Sequence, residues 1–235
     1  MIYDNIFLEG ETCDLIVPDD NEETIKLWSK WFNQSKTTKF LSQGAFPNTV
    51  ADQLNYFKNL SKSTAKLLCL IKPKSSNKPI GVASLSEINL LQKQATMALV
   101  IGEEYTGPDS IFIALETKAI LTQHAFDVVG IERLNSLQVV DLKNWQDTQI
   151  LFGFQIEGIL RNKFRKGYKA YDMLVSSCIL EDYLKIIALR NGVLWPGKKE
   201  MFNLMRSLPD TTLIDQLIDW LDLNQKEYWK KVYGE

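Results

Sequence analysis

The sequence has little of what several function classes require. Among its 235 residues are three cysteines and one histidine. Cys13, Cys69 and Cys178 lie far apart with no C-x-x-C pair, and His124 stands alone, which argues against a structural zinc site and a disulfide framework alike. No metal is expected. Positive charge is not in excess either: 27 basic residues against 29 acidic ones leave a formal net charge of −2, too little to neutralise a phosphate backbone, so nucleic acid is not an expected partner. No apolar run approaches the roughly 20 residues that cross a bilayer. The opening MIYDNIFLEGETCDLIVPDD is acidic where a signal peptide is basic and then apolar, so a cytoplasmic chain without a membrane partner is expected. What is present is ordinary globular material, 45% hydrophobic and 24% charged, enough for one large domain or two small ones.

The apolar pattern divides the chain into three stretches. In the first, ETCDLIVPD (11–19) reads as a strand ending at Pro18, with Asp19, Asp20 and Asn21 as candidate caps of a helix whose Ile25, Leu27, Trp28, Trp31 and Phe32 share one side. A loop through Pro47 leads to a second helix from about Thr49, with Val50, Leu54, Phe57 and Leu60 on one face. The middle stretch changes period: AKLLCLIK, PIGVASLSEI and QATMALVIG read as an antiparallel meander. After EEYTGPDS comes a helix from about Ile111 to Val129, stopped by Gly130, then a strand in ERLNSLQVV and a short helix ending at Gly153. FQIEGILRN and KAYDMLVSSCIL form a hairpin joined by the basic turn KFRKG. From Glu181 onward the pattern is helical only, with four helices expected: one up to Asn191 and Gly192, one over Met201–Leu208, one over Leu213–Leu221 and one over Glu227–Val232.

Several of these stretches resemble the GNAT superfamily of N-acetyltransferases, in particular its ribosomal-protein acetyltransferase (Rim-type) branch. The likeness lies in the element order and in HAFDVVGIERLNSLQV (124–139), GFQIEGILRN (153–162), KAYDMLVSSCILEDY (169–183) and WFNQSKTTKFL (31–41), and it covers roughly residues 11–183. It implies an α+β sandwich with a mixed, mainly antiparallel seven-stranded sheet and helices on both faces. Residues 1–180 would form that domain and 181–235 a small C-terminal helical extension, whose aromatics make it a candidate homodimer contact. The implied activity is transfer of an acetyl group from acetyl-CoA to a small-molecule amine by direct attack in a ternary complex, with no covalent enzyme intermediate and no metal.

The resemblance also implies where the groups would sit. The strand carrying Met97, Leu99, Val100 and Ile101 parts from its neighbour, and the Leu99 and Val100 amides are candidates for the oxyanion and pantetheine contacts. The pyrophosphate would meet the loop holding Thr106, Gly107, Asp109 and Ser110. That loop departs from the family pattern of Arg or Gln, two spacers, Gly, one spacer and Gly or Ala, and Asp109 would repel a phosphate unless it caps the following helix. Glu87 is the candidate base for the acceptor amine, although a solvated strand end explains the same letter. Tyr171 is a candidate acid for the leaving thiolate, or a packing tyrosine. Trp31, Asn33 and Phe40 belong to the expected acceptor wall. The basic cluster Arg161, Lys163, Arg165, Lys166 and Lys169 points to a phosphorylated acceptor such as a nucleotide-linked amino sugar, and equally to a solvated hairpin tip. A protein amino terminus and an antibiotic amine are alternative acceptors. A non-catalytic binding module with a degenerate phosphate loop is the alternative of another class.

Overall fold

A computed structural model describes residues 5–19, 21–60 and 63–234. Eight strands form one sheet: β1 (Ile6–Leu8), β2 (Cys13–Ile16), β3 (Leu67–Pro73), β4 (Gly81–Asn89), β5 (Gln94–Ile101), β6 (Arg133–Val139), β7 (Gln155–Lys166) and β8 (Lys169–Ile179), in the order β1-β2-β3-β4-β5-β6-β8-β7. Every neighbouring pair is antiparallel except β5 and β6. The sheet therefore has one strand more than the seven expected. The extra one, β1, is three residues long and half exposed at the edge, too short to show alternation.

Helices cover both faces. On one side α1 (Glu22–Asn33), the single-turn α2 (Ser35–Thr38) and α3 (Val50–Leu60) bring Ile25, Trp28, Trp31, Phe32 and Phe57 onto Ile16, Leu70 and Val82 of the sheet. Asn21 caps α1 by accepting from the Glu23 N–H at 3.0 Å, while Asp20 lies outside the described residues. On the other side α4 (Ser110–His124) is buried all round, which is why its apolar residues trace no single stripe. It widens into a π turn over Ala125–Val129 that ends at Gly130, whose φ of +76° suits glycine. His124 packs edge-on to Phe7, and burial lowers its pKa, so it is a structural aromatic of this core.

Glu116 fastens the amino-terminal segment to α4. Its carboxylate is fully buried and accepts from the Thr12 N–H at 2.6 Å, from the Glu11 N–H and the Thr12 hydroxyl, and from the Cys13 N–H at 3.2 Å. Backbone donors that enter β2 from a loop are thus satisfied by one side chain. Gly10 completes the wrap, since a Cβ there would lie 2.3 Å from the Cys13 carbonyl oxygen.

After β6 come α5 (Lys143–Thr148) and a 3₁₀ turn over Gln149–Phe152. The β7–β8 hairpin is longer than its sequence suggests: Lys163–Lys166 belong to β7, and the reversal falls at Gly167 and Tyr168, with Gly167 at φ +59°. β8 runs straight into α6 (Leu180–Leu189), followed by α7 (Lys198–Arg206) and α8 (Leu213–Tyr233). Tyr183, Leu194 and Met201 join the core beneath α4, with Tyr183 stacked on Phe126 at 4.5 Å. The two last helices expected from sequence are one, α8, because Asp222–Lys226 contains no glycine or proline to break it.

Candidate functional site

β5 and β6 pair only over Gln94–Thr96 and Arg133–Asn135. Beyond Thr96 the strands part, while β5 stays paired with β4 up to Ile101 and β6 stays paired with β8 up to Val139. The result is a gap in mid-sheet. At its apex the Asn135 side chain donates to the Ala95 carbonyl at 3.2 Å.

The strand backbone decides which groups face this gap. Val82 lies opposite Val100, the Gly102 N–H donates to the Ile80 carbonyl, and a Cβ on Gly81 would strike the Val100 oxygen at 2.3 Å. Val100 therefore turns its backbone groups to β4, and by alternation Leu99 and Ile101 turn theirs to the gap, where β6 supplies no partner. Of the two amides expected there, that of Leu99 faces the gap and that of Val100 faces β4; the second one facing the gap is that of Ile101.

The gap opens into a cleft of about 670 Å³ lined by Leu99, Val100, Ile101, Gly102 and Leu142 on the sheet side and by Gln34, Thr37, Phe40 and Leu41 on the α1–α2 side. Its rim carries charge in pairs, Lys30 with Glu103 at 2.7 Å and Lys36 with Glu104 at 3.0 Å. Lys30 holds the Glu103 carboxyl below its ordinary range. Phe40 meets Tyr171 edge-on at 5.6 Å, and Tyr171 also touches Phe164. Tyr171 thus joins the hairpin to the cleft wall. The hairpin's Lys166 ammonium donates to the Leu41 carbonyl at 2.9 Å and to that of Gln43, so the basic segment is tied to this wall at Lys166, while Arg161, Lys163, Arg165 and Lys169 are exposed.

Other expected wall residues lie elsewhere. Trp31 is 1% exposed, and its ring packs where a Cβ on Gly102 would fall. Asn33 ties α1 to the following loop, accepting from the Asn48 N–H at 2.7 Å and donating to its carbonyl at 2.9 Å. Met97 points its side chain away from the cleft into the α4 core.

Glu87 sits at the end of β4 where the pairing with β5 slips between Ser86 and Asn89. Its φ is +54°, a left-handed conformation that costs a residue with a side chain about 1 kcal/mol or more. The exposed carboxylate accepts from the Thr96 hydroxyl at 2.8 Å, so it is held at the residue where β5 and β6 begin to part. Where β5 and β6 are still paired stands a polar cluster that sequence reading missed. Arg133 pairs with Glu157 at 2.5 Å and donates to Asn135 at 2.8 Å, and Ser177 donates to Glu157 at 2.8 Å. Arg133 holds the Glu157 carboxyl low. The only signal available was the glutamate of the hairpin motif, whose partners come from two other strands.

The turn before α4 is built differently from expectation. Asp109 precedes the helix at φ +64° but makes no capping bond; its carboxylate pairs with Lys198 of α7 at 3.1 Å. Trp195 packs on Phe112, and its indole N–H donates to Glu11. Gly107 lies tight against Tyr105, Thr106 is exposed, and Ser110 opens the helix. None of the four expected loop residues lines the cleft.

Lys118 of α4 is 3% exposed in the core below the gap, with no carboxylate within ion-pair distance among the described residues. Burial lowers its pKa from 10.5 to about 7. Between those values the unfolded chain binds a proton that the folded chain does not, so this residue's contribution makes stability rise with pH from about 7 to about 10. Melting curves across that range are expected to show the rise, and Lys118→Met to flatten it.

A gap between parted strands, a carboxylate near its apex and an open cleft form one arrangement, and comparison with solved structures shows the fold that holds it. The chain has the fold of the GNAT-type acetyltransferases. A microcin C7 self-immunity acetyltransferase, solved with acetyl-CoA and AMP, matches with a TM-score of 0.60 at 23% identity over 73% of this chain and 94% of its own. The spermidine N-acetyltransferase of Vibrio cholerae, solved with coenzyme A and spermine, matches with a TM-score of 0.65 at 14% identity over 74% of this chain and 99% of its own. No protein-family model and no curated protein matches the chain. The GNAT-like part is thus fixed by topology, and the strand count of eight exceeds the expected seven by the edge strand β1. Among the described residues no cluster of His, Cys, Asp and Glu could hold a metal ion, and no helix is long and apolar enough to cross a membrane.

Proposed function

We propose that this chain is an acetyl-CoA-dependent N-acetyltransferase acting on the primary amine of a small acceptor, with an amino sugar or nucleotide-linked amino sugar as the preferred class. The observation that carries the reading is the gap beyond Thr96 and Asn135, with the Leu99 and Ile101 backbone groups facing it. A thioester is already activated, so the protein must align it with the amine, receive one proton and stabilise the oxyanion. Leu99 and Ile101 hold the pantetheine arm as a third strand would. The amine enters neutral; the Leu99 N–H stabilises the oxyanion formed as the amine nitrogen bonds to the carbonyl carbon, and Glu87 takes the proton that this nitrogen then sheds. The thiolate of coenzyme A then leaves, so no enzyme nucleophile is needed. Acetyl-CoA in one structural neighbour and coenzyme A in another are in keeping with this donor.

The acceptor class rests on charge. With Lys30 and Lys36 paired to Glu103 and Glu104, the positive groups left over are Lys39 on the α2 side of the cleft, Lys166 docked beside it at Leu41, and Arg161, Lys163 and Arg165 along β7, a field suited to a phosphorylated acceptor. Thiol release from acetyl-CoA over a panel of amino sugars, their nucleotide-linked forms, polyamines and peptide amino termini tests both parts. Preference for the nucleotide-linked sugars is expected; release with polyamines alone would reject the acceptor class, and release with nothing would reject the enzyme. A cytoplasmic location is part of the proposal.

Lys198 bears on the donor. Its pairing with Asp109 removes the repulsion that an unpaired carboxylate would exert at the start of α4. Lys198→Ala is expected to weaken coenzyme A binding about fivefold, the scale of one exposed pair, and Asp109→Asn to restore it. Calorimetric titration reads both.

We also propose a homodimer through α8. Beyond Leu221 the helix exposes Leu223, Tyr228, Trp229, Val232 and Tyr233. Asp219 and Asp222 precede Lys226, Lys230 and Lys231 along it, so two copies paired antiparallel set opposite charges side by side. Sedimentation should show a dimer, and Trp229→Asp a monomer that keeps its fold.

A further inference from the structure

We infer that Lys118, bridged through Gln149 to Gln138, forms a polar floor beneath the gap that restricts the acyl donor to acetyl and excludes longer chains; this rests on the proposed donor site. The bridge spans the parted strands from below. The Lys118 side-chain nitrogen donates to the Gln149 side-chain oxygen at 2.7 Å, and the Gln149 amide donates to the Gln138 side-chain oxygen at 2.6 Å. On the β5 side the same nitrogen lies 3.9 Å from the Met97 sulfur, one residue past the last one paired to β6. On the β6 side Gln138 is three residues past the last paired one, Asn135. Phe154 closes the floor from beneath, its ring centroid 3.5 Å from the lysine nitrogen.

A buried lysine without an acid partner is a poor choice for stability alone, since its charged form loses hydration and gains one amide oxygen and one aromatic face in return. An apolar residue would pack there at lower cost. The position gives the reason for a lysine. With the thioester carbonyl on the Leu99 N–H, the acyl end points toward the apex, where Asn135 closes the strands and this bridge closes the α4 side. Acetyl presents a single methyl group to the bridge. Each further methylene must press into it and separate Lys118 from Gln149, which leaves buried polar groups unpaired.

Calorimetric titration of the full chain with coenzyme A, acetyl-CoA and butyryl-CoA tests the inference without needing the acceptor. Acetyl-CoA is expected to bind at least about tenfold tighter than butyryl-CoA. Lys118→Met, close in length and apolar, is expected to narrow the ratio to within about threefold. Gln149→Leu breaks the bridge at its other end and is expected to shift the ratio the same way; it serves as the reading if the methionine variant does not fold. A merely structural role would weaken all three ligands alike and leave the ratio unchanged. Equal binding of the two acyl donors to the wild type, or an unchanged ratio in folded variants, overturns the floor while the donor site stands. Absence of binding by coenzyme A and acetyl-CoA overturns the donor site and the floor together.

Discussion

Replacing Glu87 by glutamine is expected to lower the rate of acetyl transfer by about 10²–10⁴, the range of a positioned general base, with little change in the KM for acetyl-CoA. The amide keeps the length and can still accept from Thr96, so geometry is conserved and only the proton acceptor is lost. The backbone allows a sharper version. At φ +54° a glycine is relaxed where a glutamate is strained, so Glu87→Gly should match or exceed the wild type in thermal stability while losing activity as fully as the glutamine variant. Stability and activity moving in opposite directions would separate a functional carboxylate from a strand end. Thr96→Val, which removes the orienting hydroxyl, should cost about tenfold at most. Steady-state thiol release and differential scanning calorimetry provide both readings, and a fully active Glu87→Gly would remove Glu87 from the chemistry.

Replacing Glu116 by alanine is expected to destabilise the fold by about 3–5 kcal/mol, the scale of breaking a buried charged network. Three backbone N–H groups, of Glu11, Thr12 and Cys13, lose their common acceptor at once in a place that water does not reach. For a chain of this length that is a fall in melting temperature of roughly 10 °C. Glutamine retains one acceptor oxygen and should recover part of the loss. The loss should be local in origin, with hydrogen exchange rising first in β2 and the segment before it. A melting temperature within about 2 °C of the wild type would show that the N-terminal segment is held by its apolar contacts alone.

The two residues differ in how visible they were before the structure. Glu87 was named as a candidate base because the GNAT resemblance puts a carboxylate at the end of this strand, but nothing in SLSEIN announces a left-handed backbone, since that conformation follows from a slip in β4–β5 pairing set by contacts across strands. Glu116 and Lys118 drew no notice at all. Inside IALETKAIL they look like the solvated side of an amphipathic helix, and only chain segments remote in sequence bury them, Glu11–Cys13 around Glu116 and Met97, Gln149 and Phe154 around Lys118. Sequence pattern found the meander, the central helix and the hairpin because each carries its own periodicity or turn chemistry. It could not find which chain segment neutralises Asp109. Lys198 is 89 residues away, and long-range pairing leaves no local trace. Trp31 and Asn33 were placed on the acceptor wall with Phe40 by resemblance; they belong to α1, whereas Phe40 follows α2 after the chain turns at Gln34, and of the three only Phe40 reaches the cleft.

The donor site is most sharply tested by residue-resolved amide exchange, followed by NMR with and without acetyl-CoA. Along β5 the Ala98 and Val100 N–H groups are turned to β4 and should be protected in both states, whereas those of Leu99 and Ile101 face the gap and should exchange fast until the donor is added. Protection appearing at Leu99 and Ile101 with saturating acetyl-CoA is the predicted result. Unchanged exchange at both amides, under conditions where acetyl-CoA is bound, would place the donor elsewhere and contradict the reading of the gap.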